Sequence, residues 1–139
     1  MTKRYRVFVS HGYADRWVAA QIARRIQEDC KADAFIDVFD IAKGDEIEHR
    51  IFEELPRCDE LLALLTPRSA ERNWVWVEIG AARALGKRVV AVLYGVTLED
   101  LDREKGSRVF LGSTNIADIN EMETYLVELK RRVEETLDD

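Results

Sequence analysis

Short apolar runs alternate with longer stretches of helical periodicity along the whole chain, and this alternation limits the fold more than any other sequence feature. Five runs of four to seven residues have the length and composition of buried strands. They are Arg4–Ser10, Ala34–Val38, Leu61–Thr66, Arg88–Tyr94 and Arg108–Leu111. Strands that alternate with helices predict a parallel sheet with helices on both faces. Right-handed crossovers and five strands in 139 residues favour an α/β, flavodoxin-like order.

Apolar positions at helical spacing predict four helices between and after these strands. They lie at about Val18–Ile26, Ile47–Leu55, Trp74–Leu85 and Ile119–Leu137. Asp15 is expected to cap the first helix, and Asn73 the third. Gly86 is the predicted C-terminal stop of the third helix, because glycine adopts the left-handed conformation that ends many helices.

Size, charge and cysteine content exclude several classes of protein. A chain of 139 residues is about one domain, so residues 1–139 are expected to fold as a single unit. The net charge of −6 argues against nucleic-acid binding. The sequence contains no basic amphipathic stretch, which argues against binding to a membrane surface. Cys30 and Cys58 form no zinc motif and no disulfide framework. We therefore expect a cytoplasmic protein without a metal site.

In an open parallel sheet, ligands bind beyond the carboxyl ends of the strands. The predicted strands place Ser10–Gly12, Phe39–Asp45 and Thr66–Pro67 on this edge. Ser10 and His11 suggest a serine hydrolase, but adjacent strand residues point to opposite faces and no GxSxG elbow is present. The absence of GxGxxG and GxxxxGK[ST] also removes the common signals for a Rossmann site and a P-loop.

Glu78 is the only charged residue in the segment Asn73–Ala82. A carboxylate on an apolar helical face is costly to bury unless it is paired or functional. Glu78 also lies near the start of its helix, where the dipole favours negative charge. Two interpretations remain open from the residues alone: a structural glutamate bonded to the backbone or to Arg83 or Arg88, and a functional carboxylate.

The loop after the second strand carries four charged residues around a glycine. Asp37, Asp40, Lys43 and Asp45 are its charged positions, and Gly44 suits a tight turn. The loop either covers a polar ligand or makes routine turn contacts, with Asp45 as a helix cap.

Together these segments resemble a Toll/interleukin-1 receptor (TIR) domain of the bacterial type. Phe8–His11 resembles the first box of the family, and Asp37–Asp45 resembles the loop after strand two. Leu61–Pro67 and Asn73–Ala82 resemble the third strand and the WxxxE helix. The resemblance covers residues 4–111, the final helix fits the last helix of the family, and the implied TIR fold is the flavodoxin-like one.

The resemblance also implies an activity. Many prokaryotic and plant TIR domains, and one animal axonal type, cleave the nicotinamide–ribose bond of NAD, which is a substrate here and not a cofactor. The products would be nicotinamide and either ADP-ribose or a cyclic ADP-ribose isomer, made as a signal in bacterial antiphage defence. In catalytic members the glutamate of WxxxE is essential; Glu78 occupies that position, and Trp74 is the matching tryptophan.

The family's ligand contacts come from the turn after strand one and the loop after strand two. Carried onto this sequence, they are Ser10, His11, Gly12, Tyr13, Asp37, Phe39, Lys43 and Asp45. The sequence departs from catalytic animal members in two places. Gly12 and Tyr13 stand where those members have basic residues, and Glu46 stands near their loop aromatic. Phe39 or Tyr13 would then stack on the base or on nicotinamide.

Two other functions remain open. TIR domains also act as non-catalytic assembly modules through TIR–TIR contacts, so self-association is expected under either function. Because residues 1–139 are filled by one domain, we also expect a separate nucleotide-sensing effector as partner. An enzyme similar to nucleoside 2-deoxyribosyltransferases, with related glycosidic chemistry, is a more distant alternative.

Overall fold

A five-stranded parallel sheet forms the centre of the computed structural model, which describes residues 4–36, 50–68, 73–105 and 114–138. The strands are β1 (Arg6–Ser10), β2 (Asp33–Ile36), β3 (Glu60–Leu65), β4 (Arg88–Leu93) and β5 (Asn115–Asp118). Their order is β2-β1-β3-β4-β5, and every pairing is parallel. The predicted flavodoxin-like sheet is confirmed.

In the described ranges, four α-helices cover the two faces of the sheet. They are α1 (Arg16–Cys30), α2 (Asn73–Ala84), α3 (Leu98–Lys105) and α4 (Met122–Asp138). Apolar residues of α1 and α4 pack on one face, and those of α2 and α3 pack on the other. Within the described ranges, no helix is both long and apolar enough to cross a membrane.

The central strand β3 shows why the sheet needs two covered faces. All six of its residues are buried. Leu62 and Leu64 contribute to the core beneath α1 and α4, while Leu61 and Leu65 contribute to the core beneath α2. Alternate side chains of a strand point to opposite faces, so a strand buried on both sides reads as an unbroken apolar run.

The end of α2 follows the predicted pattern. Gly86 has φ +73°, and the Lys87 amide donates to the Ala82 carbonyl at 2.9 Å. The Gly86 amide donates to the Arg83 carbonyl at 3.0 Å. These two bonds form a Schellman motif, in which glycine avoids the steric cost of a Cβ at positive φ. The predicted helix stop is confirmed.

The second half of the chain departs from the prediction in two places, the fifth strand and one helix. The fifth strand is Asn115–Asp118, whereas the predicted Arg108–Leu111 lies outside the described residues. Because β5 is a largely exposed edge strand, it has no apolar run for a pattern search to find. Helix α3 was not predicted, since it is polar and Leu101 is its buried contact.

The described part of the predicted Ile47–Leu55 helix is irregular: a π-helical turn at Arg50–Glu54 is followed by a 3₁₀ turn at Leu55–Arg57. Residues 37–49 lie outside the described part of the chain.

Glu60, the first residue of β3, is a buried carboxylate that sequence analysis missed. Its Oε1 accepts from the Tyr5 hydroxyl and from Arg132 Nε at 3.0 Å. Its Oε2 accepts from the Tyr125 hydroxyl at 2.7 Å and from Arg132 Nη2 at 3.1 Å. Burial and the adjacent Glu60 charge raise the pKa of both tyrosines. This network ties α4 and the start of β1 to the amino edge of the sheet.

Removal of the Glu60 charge should be costly. The Glu60→Gln variant leaves the Arg132 guanidinium without its counter-ion, and breaking a buried ion pair lowers the free energy of unfolding by about 3–5 kcal/mol. Urea denaturation measures this loss. The matched control is Glu134→Gln on the exposed side of α4, which should stay within about 0.5 kcal/mol of wild type. A Glu60→Gln loss as small as that of the control would contradict the network's structural role.

Stability should fall at alkaline pH, in part through Cys58. The thiol is 1% exposed and donates to the Glu54 carbonyl, and burial raises its pKa from 9.0 to about 12. Above pH 9 the unfolded chain loses this proton while the folded chain keeps it, so the free energy of unfolding falls as pH rises. Urea denaturation at several pH values between 8 and 11 should show a shallower decline for Cys58→Ala. Identical slopes for the two proteins would exclude this role of the thiol.

Candidate functional site

A serine and a glutamate that are 68 residues apart in sequence meet near the carboxyl edge of the sheet. Ser10 is the last residue of β1 and pairs with Ala63 of the central strand. Glu78 lies on α2, which packs against the face of the sheet that carries Phe8, Leu61 and Leu65. The Ser10 hydroxyl donates to Glu78 Oε1 at 2.7 Å, and both residues are 0% exposed. The predicted site residues Ser10 and Glu78 therefore lie in direct contact.

The local sequence explains why each side chain points to the other. Phe8 packs in the core beneath α2, and Ser10, two residues later, emerges on the same face of the sheet. Around Glu78, Val75 and Ile79 are fully buried, so this part of α2 is held against the sheet by apolar contacts. Arg88, one of the alternative partners weighed from sequence, begins β4 at the opposite edge, level with Glu60.

His11 and Gly12 continue the chain from the end of β1. His11 is 2% exposed, and its Nδ1 lies 2.8 Å from the Gly12 carbonyl oxygen. A carbonyl only accepts, so Nδ1 carries a proton and donates. Since the Ser10 hydroxyl already donates to Glu78, the geometry agrees with the exclusion of a Ser–His nucleophile.

Tyr13 is half-buried in the 3₁₀ turn that follows. The Arg16 guanidinium lies 4.1 Å from the centre of its ring and donates to its carbonyl at 3.0 Å. Arg16 therefore covers one face of the ring that sequence analysis considered for stacking. This cation–π contact supplies positive charge next to Gly12 and Tyr13, the positions where catalytic animal members carry basic residues.

The remaining predicted positions are only partly described. Trp74 lies in α2 one helical turn before Glu78, and the structure describes its backbone but not its side chain. Four predicted contacts lie outside the described residues: Asp37, Phe39, Lys43 and Asp45.

A cleft of about 310 Å³ opens at the same edge of the sheet and was not predicted as a unit. We call it the edge cleft; it is lined by Asp15, Val18, Thr66, Pro67, Arg68, Tyr94 and Gly95. Thr66 and Pro67 were expected at this edge, whereas Arg68 and Tyr94 were missed. Their signal in the sequence is their position: Arg68 lies two residues after the third apolar run, and Tyr94 is the last residue of the fourth.

Asp15 has a different role from the predicted one. It stands at the N-cap position of α1, but its side chain makes no capping hydrogen bond. Instead Asp15 Oδ2 accepts from the Thr66 hydroxyl at 2.6 Å. Thr66 follows the central strand, so the pairing of that side chain with Asp15 depends on the sheet order and not on the local helix signal.

Comparison with known proteins agrees with this fold and shows the family of the chain. The model of the TIR domain family matches residues 7–129, so the chain belongs to the TIR domain family. Among curated proteins, no sequence matches this chain.

Solved structures of low identity share the fold. The TIR domain of the Toll-related receptor TRR-2 from Hydra magnipapillata has a TM-score of 0.60 at 14% identity, covering 96% of this chain and 98% of that one. The TIR domains of the activated Roq1 resistosome, which recognises the effector XopQ, have a TM-score of 0.58 at 14% identity. The match covers 97% of this chain and 84% of that one. The CMP N-glycosidase BcmB of Clostridium botulinum has a TM-score of 0.50 at 17% identity. The match covers 91% of this chain and 98% of that one.

The Ser10–Glu78 hydrogen bond should contribute measurably to folding. A double-mutant cycle with Ser10→Ala and Glu78→Ala, each of which removes the hydrogen bond, should give a coupling energy of about 1.5–3 kcal/mol, the value for a hydrogen bond to a charged group. Urea denaturation of the wild type and three variants supplies the four free energies. Additive single-variant effects would show that the contact contributes no coupling.

Proposed function

We propose that this TIR domain cleaves the nicotinamide–ribose bond of NAD, with Glu78 as its catalytic residue. The observation that carries the proposal is the buried Glu78 carboxylate, held by Ser10 near the carboxyl edge of the sheet. This is the edge at which open α/β sheets bind ligands. The TIR family includes enzymes with this activity, which supports the assignment.

The chemistry needs a negative charge more than it needs an acid. Nicotinamide leaves a pyridinium as a neutral molecule, so its departure requires no proton. The ribose carbon gains the character of an oxocarbenium ion in the transition state, as in other glycosyl transfers. A fixed carboxylate next to the ribose stabilises that developing positive charge, most strongly where water is excluded.

Ser10 serves this reaction by orienting the carboxylate. Its hydroxyl lies 2.7 Å from Oε1 and is itself fixed at the end of β1. A catalytic group that is already oriented pays no reorganisation cost when charge develops. Glu78 is 0% exposed, so NAD reaches it only when groups that cover it move.

Low water access also bears on the product. Water as the nucleophile gives ADP-ribose, whereas an adenine nitrogen or a ribose hydroxyl of the same molecule gives a cyclic isomer. Closure of the covering groups over bound NAD would exclude water from the ribose carbon and favour the internal nucleophile. A cyclic product would suit a signal for a separate nucleotide-sensing effector in bacterial antiphage defence, which we include in the proposal.

The CMP N-glycosidase neighbour supports N-glycosidic cleavage as the reaction class. It also defines a competing substrate, because a carboxylate placed for one nucleotide glycosidic bond can serve another. Cytosine release from CMP therefore belongs in the same assay as nicotinamide release from NAD.

A second candidate function is assembly without catalysis. The TIR domains of Roq1 were solved within a resistosome, which supports an assembly role for a domain of this family. A scaffold needs no carboxylate at position 78, so the Glu78 side chain separates the two functions. Self-association is compatible with both, since contact between copies can move the groups that cover Glu78.

The Glu78→Gln variant tests the enzyme proposal. It keeps the side-chain shape and an acceptor for Ser10 but removes the charge, so nicotinamide release should fall by about 10²–10³-fold or more. The measurement is nicotinamide release over a range of protein concentrations, with products identified by mass. Glu134→Gln, on the exposed side of α4, is the matched control and should retain full activity.

A wild-type circular dichroism spectrum and a cooperative thermal transition above the assay temperature would show that Glu78→Gln is folded. If it releases nicotinamide as fast as wild type, Glu78 is not the catalytic residue. If wild type releases none at any concentration, the assembly function remains, and cytosine release from CMP would instead indicate the nucleotide glycosidase.

A further inference from the structure

We infer that the edge cleft binds the adenosine half of the dinucleotide, with Tyr94 under the base and Asp15 at the ribose. The inference rests on the proposed function, because it assigns the end of NAD that lies away from the scissile bond. Asp15 and Tyr94 are not among the ligand contacts that sequence analysis assigned.

The first argument is the position of the cleft in the sheet. The strand order places β1 next to β3, and the chain leaves these strands in opposite directions, to α1 on one face and to α2 on the other. The crevice at such a switch point is where open α/β sheets bind ligands. Asp15 follows β1 and Thr66 follows β3, and their 2.6 Å hydrogen bond spans this point.

Glu78 reaches the same region from the other side. It is bonded to Ser10, the last residue of β1, so the carboxylate and the cleft flank the end of one strand. A ligand with two ends, such as a dinucleotide, can therefore contact both. The volume of about 310 Å³ lies at the lower end of the range of about 300–1,000 Å³ for small-molecule sites. It suits one nucleoside and leaves the nicotinamide half for Glu78.

The lining of the cleft suits a base. Tyr94 follows β4 directly, its amide donates to the Leu65 carbonyl at 2.9 Å, and its side chain is 44% exposed. The backbone is thus fixed while the ring remains accessible for stacking. Gly95 has φ +78°, and a Cβ built there would lie 3.6 Å from Pro67 Cδ. Glycine at this position keeps the wall between Tyr94 and Pro67 free of a side chain.

The polar groups of the cleft suit a ribose and a phosphate. Asp15 uses Oδ2 to accept from Thr66, and a carboxylate has lone pairs for further donors, such as ribose hydroxyls. The Asp15 carboxylate is half-buried, where a hydrogen bond is stronger than in bulk water. Arg68 lies on the exposed wall, and a guanidinium there can pair with a phosphate oxygen.

The test uses AMP, which contains the assigned half and has no nicotinamide. Calorimetric titration of the full chain with AMP should show binding that Tyr94→Ala weakens about tenfold, as expected for the loss of one base–aromatic stack. The KM for NAD should rise by about the same factor in Tyr94→Ala, with kcat unchanged, because the ring contacts only the part that does not react.

Two variants control for the loss of a ring. Tyr94→Phe keeps the stacking face and should restore the affinity for AMP. Phe52→Ala removes a ring that is 69% exposed in the turn before β3, at the opposite edge of the sheet, and should bind AMP like wild type. Thermal midpoints of all three variants show whether they are folded.

The outcomes separate this inference from the proposed function. If NAD is cleaved and Tyr94→Ala changes neither AMP affinity nor KM, the inference is wrong and the function stands. If NAD is not cleaved but AMP binds in a Tyr94-dependent way, the function is wrong and the cleft is a nucleotide site. If NAD is not cleaved and AMP does not bind, both fail.

Discussion

A parallel sheet covered on both faces buries whatever its central strands carry, and a buried carboxylate must then obtain donors from other parts of the chain. Two glutamates meet this constraint in different ways. Glu60, at the amino edge, accepts four hydrogen bonds from two tyrosines and one arginine. Glu78 is held by the Ser10 hydroxyl near the carboxyl edge. Helix α4, the start of β1 and the end of β1 hold these donors in place.

The two edges therefore have different physical characters. At the amino edge, Arg132 reaches Glu60 as a bidentate fork, which is the arrangement of a structural ion pair. At the carboxyl edge, the Ser10–Glu78 pair and the edge cleft lie on either side of the switch point between β1 and β3. The amino edge holds the structural ion pair, and the carboxyl edge is where our proposal places the ligand, as is usual for open α/β sheets.

The complete burial of Glu78 links the two functions proposed for this TIR domain, catalysis and assembly. A carboxylate in a dry site stabilises a developing cation more strongly than one in water, but it also excludes the substrate. Movement of the covering groups is needed for any turnover. Contact between copies of the chain is one source of that movement, so catalysis and self-association are coupled through a single side chain in our proposal.

Much of the fold could be read from the sequence because its signals are local. The first four strands are apolar runs, α1 and α4 carry periodic stripes, and Gly86 supplies the positive φ that ends α2. Glu78 stood out because it is the only charge in an apolar helical segment. The failures also have local causes: β5 is an exposed edge strand, and α3 is polar apart from a few positions.

The sequence by itself determined the class of sheet, the helix boundaries around Glu78 and the position of Ser10 and Thr66 at the carboxyl edge. Only the tertiary structure decided which groups meet. Ser10 bonds to a glutamate 68 residues away, Asp15 bonds to Thr66 and not to its own helix, and Glu60 finds donors on α4. These contacts depend on strand order and register, which bring distant segments together and which no local periodicity encodes.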